Sequence, residues 1–241
     1  MNAQMSAAGE PLLSIHGLHA YYGQSHVLHG VDLQIHAGET VALLGRNGAG
    51  KTTLLRSIMG AHVRRQGDIR FGGADLLALP LHRIPRLGIG YVPEERGIFS
   101  SLSVTENLLL PPAFQEGGLS VEAIYRLFPN LQGRGKTAGT RLSGGEQQML
   151  AIARVLRTGA RFILLDEPTE GLAPVVVEQI SAAIGELKRN GFTVLLVEQN
   201  FDVAAAVSDR FYVLEKGQVV DQLNRNELAS RRDSLEQALG V

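Results

Sequence analysis

The chain has 241 residues, 44% of them hydrophobic and 20% charged, with a formal net charge of −1 and no cysteine. That length supports one large domain with an ample core, and the near-neutral charge argues against nucleic acid as the main partner. Disulfide and thiolate chemistry are excluded, and no run approaches the roughly 20 apolar residues that span a bilayer.

Residues 1–11 lack the basic start and apolar centre of a secretory signal and read as a flexible N-terminus. Residues 12–35 hold two apolar stretches broken by Tyr21-Tyr22-Gly23-Gln24, which predicts an antiparallel strand pair. Residues 40–44 form a short apolar strand, followed by a glycine-rich loop and a helix over 52–59 that Gly60 ends. Residues 68–71 and 89–92 read as further strands. The continuous apolar runs at 162–165 and 194–197 are those of parallel strands covered on both faces. Between them Pro174 marks the first turn of a helix reaching about residue 190. Residues 94–156 are turn-rich and then helical, a lobe inserted into an α/β core. After Asn224 the composition turns polar, with only short helices expected over 224–241.

Gly45-Arg46-Asn47-Gly48-Ala49-Gly50-Lys51-Thr52 matches the phosphate-loop pattern at every fixed position. Glycines let backbone N–H groups curl around phosphate oxygens. Lys51 supplies charge to the β and γ phosphates, and the Thr52 hydroxyl is a Mg²⁺ ligand. The strand at 162–165 ends in Asp166-Glu167, and hydrolysis needs carboxylates of this kind to hold metal and to orient water. Ser143-Gly144-Gly145 opens a helix whose N–H groups suit a second phosphate. It is equally a capping box, because Glu146 follows Ser143 by three residues.

Phosphate loop, Leu142-Ser143-Gly144-Gly145-Glu146, and then a strand ending in Asp166-Glu167: in that order these resemble the ATP-binding cassette ATPases, over residues 12 to about 221. The resemblance implies a P-loop NTPase core of mixed and parallel sheet, an N-terminal antiparallel β subdomain and an inserted α-helical subdomain. The cassette itself would cover residues 12–223. It implies ATP and Mg²⁺ as ligands, with Gly45, Asn47, Gly48, Ala49, Gly50, Lys51, Thr52 and Thr53 around the phosphates. Asp166 would serve Mg²⁺ and Glu167 would be the general base. Tyr22, or alternatively Tyr21, would stack on adenine. Glu94 stands where the family usually has a glutamine and can still bind metal-held water. Ser143, Gly144 and Gly145 would serve a nucleotide held by a second cassette in a head-to-tail dimer.

Two departures narrow the reading. Ala173 replaces a usual aspartate, and Gln199 stands where most members have a histidine. An amide can hydrogen-bond a γ-phosphate but cannot titrate near neutral pH. The stretches Ser143 to Ile152, Gly171-Leu172-Ala173-Pro174 and Leu196-Val197-Glu198-Gln199-Asn200 look like the cytoplasmic ATPase subunits of branched-chain amino acid importers. Such importers join this subunit to a related cassette, two membrane permeases and a periplasmic binding protein, on the cytoplasmic face of the inner membrane. A urea and short-chain amide branch, a lipopolysaccharide-type exporter and a nucleotide-gated scaffold are the alternatives. Gly97, Ile98 and Phe99 are candidates either for permease docking or for core packing of the lobe. His16/His19 and His26/His29 have H-x-x-H spacing, but on strands that offset puts the two rings on opposite faces, which argues against a metal site.

Overall fold

The computed structural model describes residues 9–239. The expected flexible N-terminus lies outside these residues except for positions 9–11. Strands β1 (Leu13–Tyr22) and β2 (Ser25–Ile35) form the expected antiparallel pair. With β4 (Arg64–Phe71) and β5 (Ala74–Asp75) they make an antiparallel sheet in the order β2-β1-β4-β5. Strand β4 starts four residues earlier than its apolar end suggests, because the polar residues Arg64, Arg65 and Gln66 pair with β1 on the exposed half of the sheet.

The second sheet contains β3 (Thr40–Leu44), β6 (Ile89–Val92), β7 (Phe162–Asp166) and β8 (Thr193–Glu198). Every residue of β3, β7 and β8 is buried, as continuous apolar runs require in a sheet covered on both faces. The sheet runs β10-β9-β3-β8-β7-β6. Its last two members, β9 (Arg210–Glu215) and β10 (Gln218–Asn224), were not expected from the sequence. They form an antiparallel hairpin around Lys216-Gly217, and β9 pairs parallel to β3. The alternating, partly exposed pattern of β10 is that of a sheet edge, which gives a weak periodic signal. Phe71 stacks on Phe162 at 5.5 Å and joins the two sheets through one apolar core.

Helix α1 (Lys51–Met59) follows β3 directly. The inserted lobe holds α2 (Val104–Leu109), α3 (Val121–Leu127) and α4 (Gly144–Arg157), whose apolar residues around Phe128, Leu131, Met149 and Leu150 join one core with the far face of β7 and β8 and with residues 180–187. Helix α5 (Pro174–Arg189) has its proline at the first turn, as expected. After β8 come α6 (Phe201–Val207) and, at the end, α7 (Arg225–Leu239). The terminal segment is thus a single 15-residue helix in place of several short ones. No helix among the described residues is long and apolar enough to cross a membrane.

Candidate nucleotide site

The phosphate loop spans the gap between β3 and α1. Gly48 (φ 80°) and Gly50 (φ 108°) occupy backbone regions that disfavour a side chain, and a Cβ on Gly50 would meet Leu28 at 2.8 Å. Helices α2, α3, α4 and α6 each begin on a Ser or Asn whose side chain accepts from the first turn. Helix α1 begins on Gly50 with no side-chain cap and no acidic residue in its first turn. Its amides and the positive end of its dipole are therefore left for an external anion.

Four polar side chains meet where β3, α1 and β7 converge. Lys51, only 4% exposed, donates from Nζ to the carbonyls of Gly45 (2.6 Å) and Arg46 (3.2 Å). The same ammonium pairs with Glu167 Oε1 at 2.9 Å. Asp166 is fully buried and accepts from Thr52 Oγ1 at 3.2 Å and from the Tyr91 hydroxyl at 3.0 Å. Burial pushes the Asp166 carboxyl up to about 6, the two hydrogen bonds oppose this, and the charges of Glu167 and Glu94 add to it. Burial, and then the Asp166 charge, raise the Tyr91 phenol. A buried carboxyl whose ionised form is disfavoured, touching a hydroxyl, is a hard-oxygen pair that a divalent cation restores to charge. Mg²⁺ characteristically takes one or two protein oxygens and completes its shell with phosphate and water, so Thr52 and Asp166 fit it.

Glu167 has φ 44°, left-handed for a non-glycine residue, and its N–H donates to the Val197 carbonyl at 3.0 Å. Such backbone costs free energy and persists only where its surroundings fix it. The turn aims the carboxylate back at Lys51 instead of along the strand.

Tyr22, Asn47, Gly48, Gly50, Lys51, Thr52, Thr53, Glu94 and Glu167 line one pocket of about 390 Å³. Ala49 and Gly45 support it from behind: Ala49 is buried, and a Cβ on Gly45 would meet the Leu214 carbonyl at 2.6 Å. The two tyrosines are sorted by the strand alternation. Tyr22 lines the pocket and accepts from Arg56 at 3.4 Å. Tyr21 faces away, stacked on His26 at 4.3 Å and beneath the Arg64 guanidinium. Glu94 stands exposed at the pocket mouth. Gln199 is half-buried and lies in the adjoining cavity with Glu167, Thr169, Glu170 and Glu198.

Ser143 does cap α4: its hydroxyl accepts from Glu146 N at 3.3 Å, and Glu146 Oε2 accepts from Ser143 N at 2.8 Å. Gly145 is buried against α5, where an added Cβ would meet Val176 at 2.6 Å. That glycine is needed for packing within the chain, a reason the motif alone does not reveal. Ala173 is the N-cap of α5 and offers no side-chain bond, so the departure from aspartate gives up a cap worth about 1 kcal/mol. The two readings of residues 97–99 divide: Ile98 packs against the lobe core, whereas Phe99 is 47% exposed beneath Arg154.

Sequence reasoning missed Tyr91, Thr169 and Glu198. Thr169 follows Asp166-Glu167 by two residues and Glu198 precedes Gln199 directly; a carboxylate ending an otherwise apolar strand was the available signal. The histidines do not alternate across the strands as their spacing predicts. Bulges in the β1–β2 pairing between Leu18 and His19 and between Ala20 and Tyr21 break the alternation. They gather His19, His26 and His29, with His19 Nδ1 3.0 Å from His26 Nε2 and the His26 and His29 rings 4.0 Å apart. Among the described residues no group of three His, Cys, Asp or Glu side chains is arranged to hold a metal ion.

Comparison with known proteins identifies the family and the fold. Residues 28–170 match the family described as ABC transporter. The chain is 43% identical over 212 residues to the high-affinity branched-chain amino acid transport ATP-binding protein BraG of Pseudomonas aeruginosa, covering 87% of this chain and 91% of that one. It is 36% identical to the probable branched-chain amino acid transport ATP-binding protein LivF of Archaeoglobus fulgidus, over 93% of this chain and 97% of the relative. Among solved structures, an ATP-binding cassette of an ABC transporter in its ADP conformation superposes with a TM-score of 0.79 at 25% identity, over 96% of this chain and 99% of that one. A dimeric cassette in a post-hydrolysis state with ADP and Pi gives 0.77 at 26% identity, over 88% and 98% of the two chains. The chain therefore belongs to the ABC transporter family, as an ATP-binding, ATP-hydrolysing subunit.

Proposed function

We propose that this chain is one of two cassettes powering an importer of branched-chain or other hydrophobic amino acids, at the cytoplasmic face of the membrane. The likeness to BraG across 91% of that protein carries the substrate class. The cluster of Lys51, Thr52, Asp166 and Glu167 carries the chemistry. ATP phosphates enter the loop between β3 and α1 and compete with Glu167 for the Lys51 ammonium. Thr52 and Asp166 would hold Mg²⁺ and Glu94 would serve its water shell; the ion, when bound, would supply charge to the β and γ phosphates. Glu167 orients the attacking water and takes its proton, and the Gln199 amide donates to the γ-phosphate. Tyr22 offers its ring to adenine.

One chain carries one phosphate loop and one Ser143-Gly144-Gly145 element, so closure of two sites takes a second cassette. A non-identical cassette, two permeases and a solute-binding protein complete the assembly by analogy with the importers. The exposed Phe99, Leu109 and Leu110 mark the lobe side on which a permease would dock. A urea or short-chain amide importer is the second reading, favoured by Tyr22-Gly23-Gln24-Ser25-His26 and Pro168-Thr169-Glu170-Gly171. The chain is also 38% identical to the lipopolysaccharide export ATP-binding protein LptB of Escherichia coli, but exporter ATPases of that type usually keep the histidine that Gln199 replaces. Uptake of labelled leucine and of labelled urea, in cells carrying this chain or its Glu167→Gln form, tests the assignment. Leucine uptake lost with Glu167→Gln supports it; uptake of urea alone overturns it.

A further inference from the structure

Strand β8 is buried along all six of its residues, and the last of them is a glutamate only 2% exposed. A carboxyl in such a place is costly unless it is hydrogen-bonded, and an apolar residue would fill the position without that cost. The bonds that Glu198 makes run to two different loops. Its Oε1 accepts from the Thr169 hydroxyl at 2.7 Å, and Thr169, itself 5% exposed, lies two residues beyond Glu167. Its Oε2 accepts from the backbone N–H of Asn200 at 3.4 Å. Asn200 in turn caps α6 through a bond from Val203 N at 3.2 Å, so that oxygen holds the turn displaying Gln199.

We propose that Glu198 is a positioning residue for ATP hydrolysis, clamping the Thr169 loop that carries Glu167 to the turn that carries Gln199. This rests on the reading of Glu167 as general base. The left-handed turn at Glu167 leaves its carboxylate dependent on how the following loop is held; the Glu167 N–H bond to Val197 fixes the strand side of that turn, and the Glu170 N–H closes it locally onto the Glu167 carbonyl at 3.2 Å. The Thr169–Glu198 bond is the side-chain tether that ties this loop, beyond its own turn, to the end of β8. Charged groups lining the cavity around Glu198 are Glu167 and Glu170 on the same loop, Glu178 on α5 and Asp202 on α6, all of them acidic. The cations bordering it are held by other carboxylates, Lys51 by Glu167 and Arg232 by Asp202, and among the described residues none pairs with Glu198. The clamp is thus a hydrogen bond from a neutral hydroxyl, which geometry alone decides.

The experiment is a double-mutant cycle in steady-state phosphate release by the full chain, co-expressed with the subunits that copurify with it. The variants are Thr169→Val, Glu198→Ala, their combination, and Glu198→Gln. Each of the first two lowers kcat on the order of 10-fold, the scale of one hydrogen bond lost from a buried pair, and leaves the KM for ATP within about 2-fold. The combination is no worse than the poorer single variant, because both remove the same bond. Glu198→Gln keeps an oxygen for Thr169 but turns an NH₂ towards the Asn200 N–H, so it recovers kcat only in part. Multiplying effects, unchanged kcat in both single variants, or a rise in KM at constant kcat overturn the clamp. If Glu198→Ala fails to fold, Thr169→Val decides the matter by itself: unchanged kcat there overturns it. Glu167→Gln run in parallel separates the two readings. Turnover surviving that substitution sinks the general-base assignment, whereas turnover lost there and unaffected at Thr169 sinks the clamp alone.

Discussion

Gly145→Ala places a methyl group 2.6 Å from one Val176 methyl and 2.9 Å from the other. Both distances are shorter than van der Waals contact, and they come from a rigid neighbour on α5 that packs against the lobe core. Overpacking of this kind costs about 1–3 kcal/mol, and two close methyls put it in the upper half of that range. Replacing glycine by alanine inside a helix returns up to about 1 kcal/mol. The net loss is about 1–2 kcal/mol, which in a chain of this size lowers Tm by roughly 2–8 °C. Thermal unfolding followed by circular dichroism measures it for Gly145→Ala, Val176→Ala and the pair. Val176→Ala opens the space the new methyl needs, so the double variant is more stable than the sum of the single losses predicts by over 1 kcal/mol, well beyond the scatter of independent sites. Hydrolysis recovers with it, since the added Cβ points at α5 and away from the α4 amides. Additive losses would refute the packing argument. Stability restored without turnover would show that the glycine answers to something outside this chain.

Glu167→Gln keeps ATP binding, measured by equilibrium dialysis, and lowers steady-state phosphate release by at least about 100-fold, the usual contribution of a positioned base; release at the normal rate contradicts the role. Tyr22→Ala weakens nucleotide affinity about 10-fold, within the range of one base-stacking contact, while Tyr22→Phe and Tyr21→Ala leave it unchanged; the opposite pattern would move the adenine contact to Tyr21. Lys51→Ala abolishes nucleotide binding, which a fluorescent ATP analogue reports directly, and frees Glu167 from the ammonium 2.9 Å away. Burial raises the Glu198 carboxyl to about 7 from an ordinary 4.5. The folded chain therefore holds a proton that the unfolded chain releases. The stability this contributes is complete below about pH 4.5 and is lost as pH rises through 7, about 3 kcal/mol in all. Glu198→Gln removes that dependence, so its Tm gains on the parent between pH 5 and pH 8; a difference that does not change with pH rules the account out.

The parts of this molecule legible in the sequence are those where one local rule suffices. Fully apolar runs declared β3, β7 and β8, and the spacing of Gly45 to Thr52 declared the loop before any neighbour was known. Pro174 announced its helix by the same local logic. What stayed hidden depends on pairing. The hairpin β9–β10 has an edge pattern that only its partner β3 makes intelligible. The three histidines were placed wrongly because a bulge is invisible to strict alternation. Tyr91 reaches Asp166 only because β6 and β7 lie in register, Tyr91 opposite Leu164. Glu198 and Thr169 are 29 residues apart, and nothing local to either says that they touch.

The capped start of α4 has a consequence for assembly. Ser143 accepts from Glu146, Arg134 holds Glu146 at 3.3 Å, and Arg96 donates to Gln147 at 2.9 Å. The first turn is therefore ordered by groups of its own chain. Its conformational entropy is surrendered when the subunit folds, so a partner meets a rigid surface and association carries little further ordering cost. The Ser143 hydroxyl uses only a lone pair for its cap, and its proton remains available to a newcomer. In the proposed two-cassette assembly, preorganisation of this kind favours fast closing and reopening of the joint.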